Sequence, residues 1–343
     1  MPRSQLNIGL LSPPWVAVPP PAYGGTESIV DRIARGLVAA GQYVTLYATG
    51  DSTAPVPIAH SVATAAADRM GEGTVEMRHV MEGYEALADC DIVHDHTLVG
   101  PAWALACGHR RVVTTCHGPF AGELRAIYRR YGERLPVVAI SRDQAARAPE
   151  IAIDRVIHHG LDIDQFPVGR GDGGYLLFLG RMVPDKGVRE AAVLARTARR
   201  PLVIAAKMRE PCERAYFAEQ VRPLLGDDIV FVGEAANGTK LNLLAGAAAL
   251  LNPIRWPEPF GLVMTEALAC GTPVLTRRAG AAPEIVDDGV TGFLCADDAA
   301  LVQAIERVDE LDRAKCRAAV VERFSTERMV GSYIALYRDV MAR

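Results

Sequence analysis

The chain has 343 residues, which is long for one domain and suits two domains that each bury a hydrophobic core. Its formal net charge of -4 at pH 7 excludes a general attraction to nucleic acid, so no nucleic-acid partner is expected. The 7 cysteines are scattered without a Cys-x-x-Cys pair, which favours reduced thiols in the cytoplasm over a disulfide or zinc framework. The longest apolar run, residues 243–251, is too short to span a bilayer, and residues 1–5 lack a signal-peptide core.

The first elements alternate between strand and helix patterns. Asn7–Leu11 is an apolar run that predicts a strand, and Tyr43–Ala48 predicts the next one. Between them, Thr26 is predicted to cap a helix over Glu27–Ala40, which Gly41 ends. Residues 51–80 are alanine-rich and predict a loop with one strand and one helix, whose bounds the pattern does not fix.

Gly24 and Gly25 lie where the first predicted strand gives way to the first helix. Sheets of α/β proteins bind ligands at this place, and glycines there let a ligand approach the backbone closely. The pattern Gly-x-Gly-x-x-Gly is absent, which disfavours a dinucleotide site. A simple turn is the alternative interpretation of this glycine pair.

Histidines follow two further predicted strands, Asp91–His94 and Arg111–Thr115. Because the carboxyl ends of parallel strands meet at one sheet edge, His94, His96 and His117 are expected to converge. One hypothesis makes these three histidines metal ligands. No helical His-x-x-x-His pattern supports that hypothesis.

Residues 123–134 predict a helix that carries arginines on a broad face. A solvated surface is the default interpretation of such a face. Contact with an acidic acceptor or with a membrane surface is the alternative. Pro136–Ile140 then predicts a strand, and Ser141 is expected to cap the helix that follows.

A second sheet is predicted to begin after a glycine-rich linker, Gly169–Gly174. The unbroken apolar run Tyr175–Leu179 predicts a strand that is covered on both faces. Arg181 and Lys186 follow it between two glycines, and a guanidinium fork with a lysine charge suits a diphosphate. Two surface cations beside a helix are the alternative. Three more strands are predicted at Leu202–Ala205, Ile229–Val232 and Ala248–Leu251.

The stretch from Glu258 to Val274 is the most informative part of the chain. Residues 262–270 are apolar nearly all round, which predicts a buried helix, yet Glu266 interrupts them. Glu258 lies in the loop before this helix, so two carboxylates are expected at one site. Gly261 allows close backbone approach at a helix start whose first N–H groups have no internal partner. A site in which backbone amides bind a phosphate and carboxylates bind hydroxyl groups indicates a sugar nucleotide. The alternative is that Glu266 has a structural role and Glu258 is a solvated loop residue.

The last predicted element is an amphipathic helix over residues 326–341. Its apolar side carries Met329, Tyr333, Leu336, Tyr337 and Val340.

The Glu-x7-Glu spacing, with Pro-Phe-Gly after the first glutamate and Gly-Thr-Pro-Val after the helix, resembles retaining glycosyltransferases of family 4. Residues 180–187 match the family's Gly-Arg-x4-Lys-Gly loop, and residues 280–293 repeat its carboxyl-terminal signature. The resemblance implies an α/β fold of the GT-B type, with two doubly wound Rossmann-like domains facing across a cleft. It implies an acceptor-binding domain at residues 1–160, joined by helix 326–343, and a sugar-nucleotide-binding domain at residues 161–325.

The resemblance also implies a retaining, metal-independent transfer from a nucleoside diphosphate sugar, most simply a UDP-sugar, to a small-molecule or oligosaccharide acceptor. No cofactor beyond this substrate is implied. In the family the first glutamate contacts the transferred sugar, the second contacts the ribose, and the histidine binds the sugar near the reacting carbon. The implied catalytic residues are His117, Glu258, Arg181 and Lys186. The implied donor-binding residues are Gly24, Gly25, Arg181, Lys186, Glu258, Phe260, Gly261, Leu262 and Glu266.

Two departures from the family pattern leave questions open. His159 stands where the family has asparagine, and residues 205–207 lack the glycine that is usual near the nucleotide base. The identity of the base is therefore open. The resemblance extends to bacterial members that act in oligosaccharide-antibiotic pathways, including avilamycin formation. Two rival functions are a sugar-nucleotide epimerase on the same architecture and a nucleotide-sugar-binding module without activity.

Overall fold

The computed structural model describes residues 5–343, apart from the side chain of Asn237. The prediction that residues 1–5 lack a signal-peptide core therefore falls mostly outside the described residues, since residues 1–4 are not included. The chain forms two compact units. We call Met1–Gly160 with Thr326–Arg343 unit 1, and Leu161–Ser325 unit 2.

Unit 1 is built around a seven-stranded sheet. Its strands are β1 (Asn7–Leu11), β2 (Tyr43–Tyr47), β3 (Ile58–Ala59), β4 (Ile92–Asp95), β5 (Val112–Thr115), β6 (Val137–Ala139) and β7 (Ile153–Val156). Its first five helices are α1 (Gly25–Ala39), α2 (Gly73–Ala86), α3 (Gly100–Ala106), α4 (Gly122–Gly132) and α5 (Arg142–Ala146). A 3-10 turn, Ala67–Arg69, precedes α2.

The strand order in unit 1 is β3-β2-β1-β4-β5-β6-β7, and every neighbouring pair is parallel. The order reverses between β1 and β4, so the loops after these two strands turn away from each other and leave a crevice at the sheet edge. Every residue of β4 and β5 is buried, as expected for strands covered on both faces.

Unit 2 contains a six-stranded sheet. Its strands are β8 (Leu176–Arg181), β9 (Leu202–Lys207), β10 (Ile229–Phe231), β11 (Ala249–Asn252), β12 (Val274–Arg277) and β13 (Gly292–Cys295). Its helices are α6 (Val188–Thr197), α7 (Pro211–Tyr216), α8 (Asn237–Gly246), α9 (Leu262–Ala269), α10 (Ala282–Ile285), α11 (Asp298–Glu306) and α12 (Arg313–Arg323). Four 3-10 turns and one π-helical turn complete it: Ile163–Gln165, Pro184–Lys186, Arg222–Leu224, Val308–Glu310 and Phe217–Val221.

The order in unit 2 is β10-β9-β8-β11-β12-β13, again with parallel neighbours throughout. Here the reversal lies between β8 and β11. Apolar side chains from the strands, such as Phe178 and Ile204, join those from α6 and α11 in one core. The expectation of two parallel-sheet, doubly wound α/β domains is confirmed.

The last helix, α13 (Thr326–Ala342), belongs to unit 1. All five residues of its predicted apolar side are buried, which confirms that face. It packs closely on α1. A Cβ atom added at Gly36 of α1 would lie only 2.6 Å from a methyl group of Val330 in α13. Among residues 5–343, no helix is both long enough and apolar enough to cross a bilayer.

Two local expectations were wrong. Thr26 does not cap α1, since the helix already begins at Gly25 and Gly24 occupies the capping position. The glycine-rich stretch 169–174 does not lead into unit 2 as a linker but is packed within that unit. Gly169, for example, donates to the Cys270 carbonyl at 3.0 Å, and a Cβ there would lie 1.9 Å from the Ala245 oxygen. By contrast, the predicted cap at Ser141 is confirmed by a 3.0 Å bond from the Gln144 N–H.

Candidate active site

The loop after β8 holds the two predicted diphosphate ligands. Arg181 is the last residue of β8, and Lys186 lies in the 3-10 turn just before α6. Gly187 follows with a φ of 76°, and a Cβ there would lie 2.3 Å from the Pro253 carbonyl oxygen. A glycine is therefore required where this loop packs against the loop that leaves β11. Since β8 and β11 flank the strand-order reversal, both loops lie where such sheets bind ligands.

Lys186 and Glu258 join these two loops. They form an ion pair in which each side chain is 16% exposed. The Lys186 ammonium also lies 5.4 Å from the centre of the Trp256 ring. The second carboxylate oxygen of Glu258, Oε2, is buried and accepts no hydrogen bond from the described residues. Leaving such an oxygen unsatisfied destabilises a fold by about 1–3 kcal/mol, so this atom is suited to accept a hydrogen bond from a ligand.

Arg181 is held by acidic residues that the sequence analysis missed. Its guanidinium lies 3.2 Å from Glu213 and 3.4 Å from Glu210, and Lys207 contacts the same two carboxylates. Burial works to raise the pKa of Glu213, but two backbone N–H donors and both cations outweigh it and lower that pKa. Glu210 and Glu213 form a capping box at the start of α7, but the usual sequence signature is absent because glutamate replaces the Ser, Thr, Asp or Asn expected at the N-cap.

Helix α9 carries the second predicted carboxylate. It begins after Gly261, whose φ of 93° is left-handed and favours glycine. Glu266 is 7% exposed and pairs at 2.9 Å with Lys240, a residue that the sequence analysis missed. Glu258 and Glu266 thus pair with different lysines. Their predicted action on one ligand stays a prediction.

Two neighbours of Gly261 were also predicted to bind the donor. Phe260 is buried and packs edge-on against Phe324 with 6.0 Å between ring centres. Its side chain therefore contributes to the core of unit 2. Leu262 is the first residue of α9, where its backbone belongs to the helix start.

In unit 1, the glycine pair lies at the predicted place. Gly24 caps α1 and Gly25 is its first residue, directly after the loop that leaves β1. Glu27, which had no assigned role, is buried in the first turn of α1. Burial raises the pKa of Glu27 to about 7, against a smaller lowering by its own backbone N–H.

Four histidines of unit 1 form one group, which we call the histidine cluster: His94, His96, His117 and His159. His96 Nδ1 and His117 Nε2 lie 2.9 Å apart. The rings of His117 and His159 stack at 5.3 Å with an angle of 19°. The expected convergence of the first three histidines is confirmed, and His159, which the sequence places more than 40 residues further along, joins them.

Burial keeps the histidine cluster uncharged. It lowers the pKa of His94 to about 3 and that of His117 to about 4. It also lowers the pKa of His96 and His159 well below the usual range, with smaller contributions from neighbouring histidines. Within residues 5–343, no group of three or more His, Cys, Asp or Glu side chains is arranged to hold a metal ion.

The arginines of the helix predicted over residues 123–134 lie at the surface, although α4 itself ends at Gly132. Arg129, Arg130 and Arg134 are exposed. Arg125, also exposed, forms an ion pair with Glu150, with Nη2 and Oε2 2.9 Å apart. This arrangement agrees with a solvated face, and a role in binding an acceptor or a membrane stays a hypothesis.

Two family models match the chain, largely one in each unit. Residues 23–165 match the model described as Glycosyltransferase Family 4. Residues 173–310 match the model described as Glycosyl transferases group 1. Both descriptions name sugar transfer.

Curated relatives include a phosphatidyl-myo-inositol mannosyltransferase from Mycolicibacterium smegmatis, 29% identical over 93% of this chain and 88% of the relative. An N-acetyl-alpha-D-glucosaminyl L-malate synthase from Bacillus anthracis is 33% identical over 34% of this chain. That match spans only 32% of the synthase.

Solved structures resemble the whole chain. AviGT4, a glycosyltransferase involved in avilamycin A biosynthesis, is 28% identical with a TM-score of 0.71, and the match covers 98% of both chains. HepE from Anabaena, solved with UDP-glucose, shares the fold with a TM-score of 0.77 at 20% identity, over 97% of this chain and 100% of HepE. With a glycosyltransferase model matching each half and a whole-length likeness to AviGT4, the chain belongs to the family 4 glycosyltransferases.

Proposed function

We propose that this chain transfers a sugar, with retention of configuration, from a nucleoside diphosphate sugar to a small-molecule or oligosaccharide acceptor. The observation that carries the proposal is the arrangement at the strand-order reversal of unit 2. There Arg181 and Lys186 follow β8, while Glu258 follows β11 with one buried carboxylate oxygen lacking a partner among the described residues. The two cations suit a diphosphate and the carboxylate suits a sugar hydroxyl.

Arg181 and Lys186 would stabilise the leaving group. As the bond between the sugar C1 and the diphosphate oxygen breaks, negative charge grows on that oxygen. A guanidinium fork, a lysine charge and the first amides of α9 can offset this charge, which is why we expect transfer without a divalent ion. Both cations now pair with carboxylates, so the diphosphate would displace Glu213 and Glu258 from them.

Glu258 and Glu266 would hold different parts of the donor. We assign Glu258 to a hydroxyl of the transferred sugar and Glu266 to the ribose. In the retaining reaction, the acceptor oxygen bonds to C1 on the face that the diphosphate leaves, and the acceptor proton passes to the departing phosphate oxygen. No protein base takes the proton in this scheme.

His117 is the residue that an inverting reaction would need as its base. A general base works best when its pKa lies near the working pH, and burial lowers the pKa of His117 to about 4. Its Nε2 atom is already within hydrogen-bond distance of His96. Both observations favour His117 as a ligand of the donor sugar.

The relatives guide the choice of substrates. HepE was solved with UDP-glucose, which supports a UDP-sugar as the first donor to test. AviGT4 acts in avilamycin A biosynthesis and the mycobacterial relative is a mannosyltransferase for an inositol lipid, so a polyhydroxylated acceptor, as in natural-product pathways, is expected. The cytoplasm stays the expected compartment, on the pattern of the 7 cysteines.

The stereochemistry of the product tests the proposal. Donors would first be screened by thermal shift, and acceptors then by mass spectrometry with an acceptor-free control. NMR of the product from an α-linked donor should show an α-glycoside, formed equally well in chelator. A β-glycoside would refute retention and make His117 the leading base. An epimerised donor without glycoside would indicate an epimerase, and binding without turnover would indicate a binding module.

A further inference from the structure

We propose that His96 is a positioning residue that fixes the tautomer of His117, so that His117 carries its proton on Nδ1 and offers this N–H to its ligand. Only the identity of that ligand, a sugar oxygen of the donor, rests on the proposed function. The tautomer itself follows from the geometry of the histidine cluster.

One proton lies between the two rings. His96 Nδ1 and His117 Nε2 are 2.9 Å apart, so one nitrogen donates and the other accepts. A neutral imidazole has one N–H and one lone pair. The direction of this single bond therefore decides where each ring carries its proton.

The far side of His96 decides the direction. Its Nε2 atom is buried and has no hydrogen-bond partner within the described part of the chain. If His117 donated to His96, neutral His96 would carry its proton on Nε2 and bury an N–H without an acceptor. If His96 donates, Nε2 keeps only a lone pair. Buried donors without partners are rarer than under-satisfied acceptors, so His96 is the donor.

The surrounding rings prevent His96 from exchanging its two nitrogens. The His94 ring lies 4.0 Å away between centres. His94 is itself fixed at both nitrogens, by the Thr115 hydroxyl at 2.8 Å and the Tyr337 hydroxyl at 2.8 Å. The ionisable groups near His96 are the other three histidines, and burial holds all of them neutral at pH 7. A doubly protonated His96 is excluded for the same reason.

The consequence lies on His117. Because its Nε2 accepts a hydrogen bond from His96, the proton of His117 is on Nδ1. No described residue accepts a hydrogen bond from that N–H. His117 is half-buried, so this N–H is open to a ligand. A nitrogen that donates cannot also act as the base of an inverting reaction. By fixing the position of this proton, His96 favours sugar binding by His117 without itself contacting the substrate.

Nitrogen NMR of the free enzyme tests the tautomer without any turnover. In protein labelled with 15N-histidine, His117 should show a protonated Nδ1 and an unprotonated Nε2, and His96 should show the same pattern. A proton on His117 Nε2 would overturn the proposal even if the chain proved to be a retaining transferase. Conversely, a confirmed tautomer in an enzyme that makes β-glycosides would leave this assignment standing and refute the proposed function.

Two variants of nearly equal shape separate positioning from packing. The amide of His96→Asn can still donate at the place of Nδ1, whereas the carboxylate of His96→Asp can only accept. The His96→Asp change should move the His117 proton to Nε2 and lower kcat at least about tenfold relative to His96→Asn, with less effect on KM. Equal losses in both variants would show a merely structural role. If His96→Asp fails to fold, the NMR spectra of the wild type and of His96→Asn still decide the matter.

Discussion

The two units hold their candidate functional residues by opposite electrostatic means. In unit 1 the histidine cluster is largely buried and neutral, and His94, His96 and His117 form hydrogen bonds to one another or to hydroxyl groups. In unit 2 each charged candidate residue has an opposite charge beside it, as in Lys186 with Glu258 and Lys240 with Glu266.

The difference predicts two kinds of sensitivity. A buried neutral histidine responds to protons, since acid favours the unfolded chain that can take them up. A partly buried ion pair responds to the loss of one partner, because the other charge is then left without compensation. Unit 1 should therefore be the acid-sensitive half, and unit 2 the half in which single charge deletions are most damaging.

The largest effect is expected where a charge is removed from unit 2. Arg181→Ala or Lys186→Ala should lower turnover by about 10²-fold or more, because charge stabilisation in a desolvated site is lost. Steady-state kinetics on the best donor measures this. Arg196→Ala is the matched control, an exposed arginine that pairs with Asp228 in the same unit, and it should leave turnover unchanged. Full activity in both site variants would remove the diphosphate assignment.

The next effect is the acid sensitivity of unit 1. A histidine with a folded pKa of about 4 binds no proton at pH 5, whereas the unfolded one, with a pKa near 6.5, does. Stability is therefore lost as pH falls below 6.5, by about 2 kcal/mol per such histidine at pH 5. His117→Gln should reduce the loss between pH 7 and 5 by this amount, measured by hydrogen exchange of the amides in β4 and β5.

Asp95 provides a control of opposite sign. Burial raises the pKa of this carboxyl to about 7, so its contribution to stability falls as pH rises through that value. Asp95→Asn removes a group whose contribution to stability increases on acidification. The stability of unit 1 should therefore fall more steeply as the pH is lowered. If acidification lowers the stability of both units equally, or if His117→Gln and Asp95→Asn leave its effect unchanged, the comparison would be contradicted.

A smaller effect should separate the two glutamates of unit 2. Glu258→Gln keeps the shape but weakens a contact to the transferred sugar, so kcat should fall about tenfold with little change in KM. Glu266→Gln should instead raise the KM for the donor by a similar factor. Initial rates over a range of donor concentrations measure both constants. The reverse pattern would exchange the roles assigned to the two residues.

The smallest effect is expected on the surface of unit 1. The double change Arg129→Glu and Arg130→Glu alters four units of charge on an exposed face of α4, and neither arginine is buried. The thermal midpoint and the rate of transfer to a neutral acceptor should not change. A marked rise in the KM of an acidic or membrane-bound acceptor would show that this face takes part in acceptor binding.

Periodicity was enough to predict most of the fold. Unbroken apolar runs identified β8 and β11, and the spacing of five apolar residues identified the buried side of α13. The start of α1 at Gly25, with Gly24 in the capping position, was missed because a threonine nearby gave a stronger local capping signal than the glycine. Helix α2 was not located, since its alanine-rich surroundings carry little contrast between apolar and polar positions.

The partners of the site residues were much harder to predict. Glu258 and Lys186 are 72 residues apart, and Tyr337 bonds to a histidine 243 residues earlier. No local pattern encodes such pairs, because they arise only when the fold brings distant segments of the chain together. The motifs therefore predicted which residues bear chemistry, whereas the structure was needed to show which side chains contact each of them.

Unit 1 is discontinuous in the sequence, and this sets an order on its completion during synthesis. Residues 1–160 leave the ribosome long before Tyr337, whose hydroxyl completes the hydrogen bonding of buried His94, has been made. Unit 2 runs without interruption from Leu161 to Ser325, so all of its residues are made before α13 of unit 1 is complete. Until α13 has been synthesised and has packed, Nδ1 of His94 therefore lacks its hydrogen-bond partner. A permuted gene that joins residues 326–343 ahead of residue 5 would remove that wait.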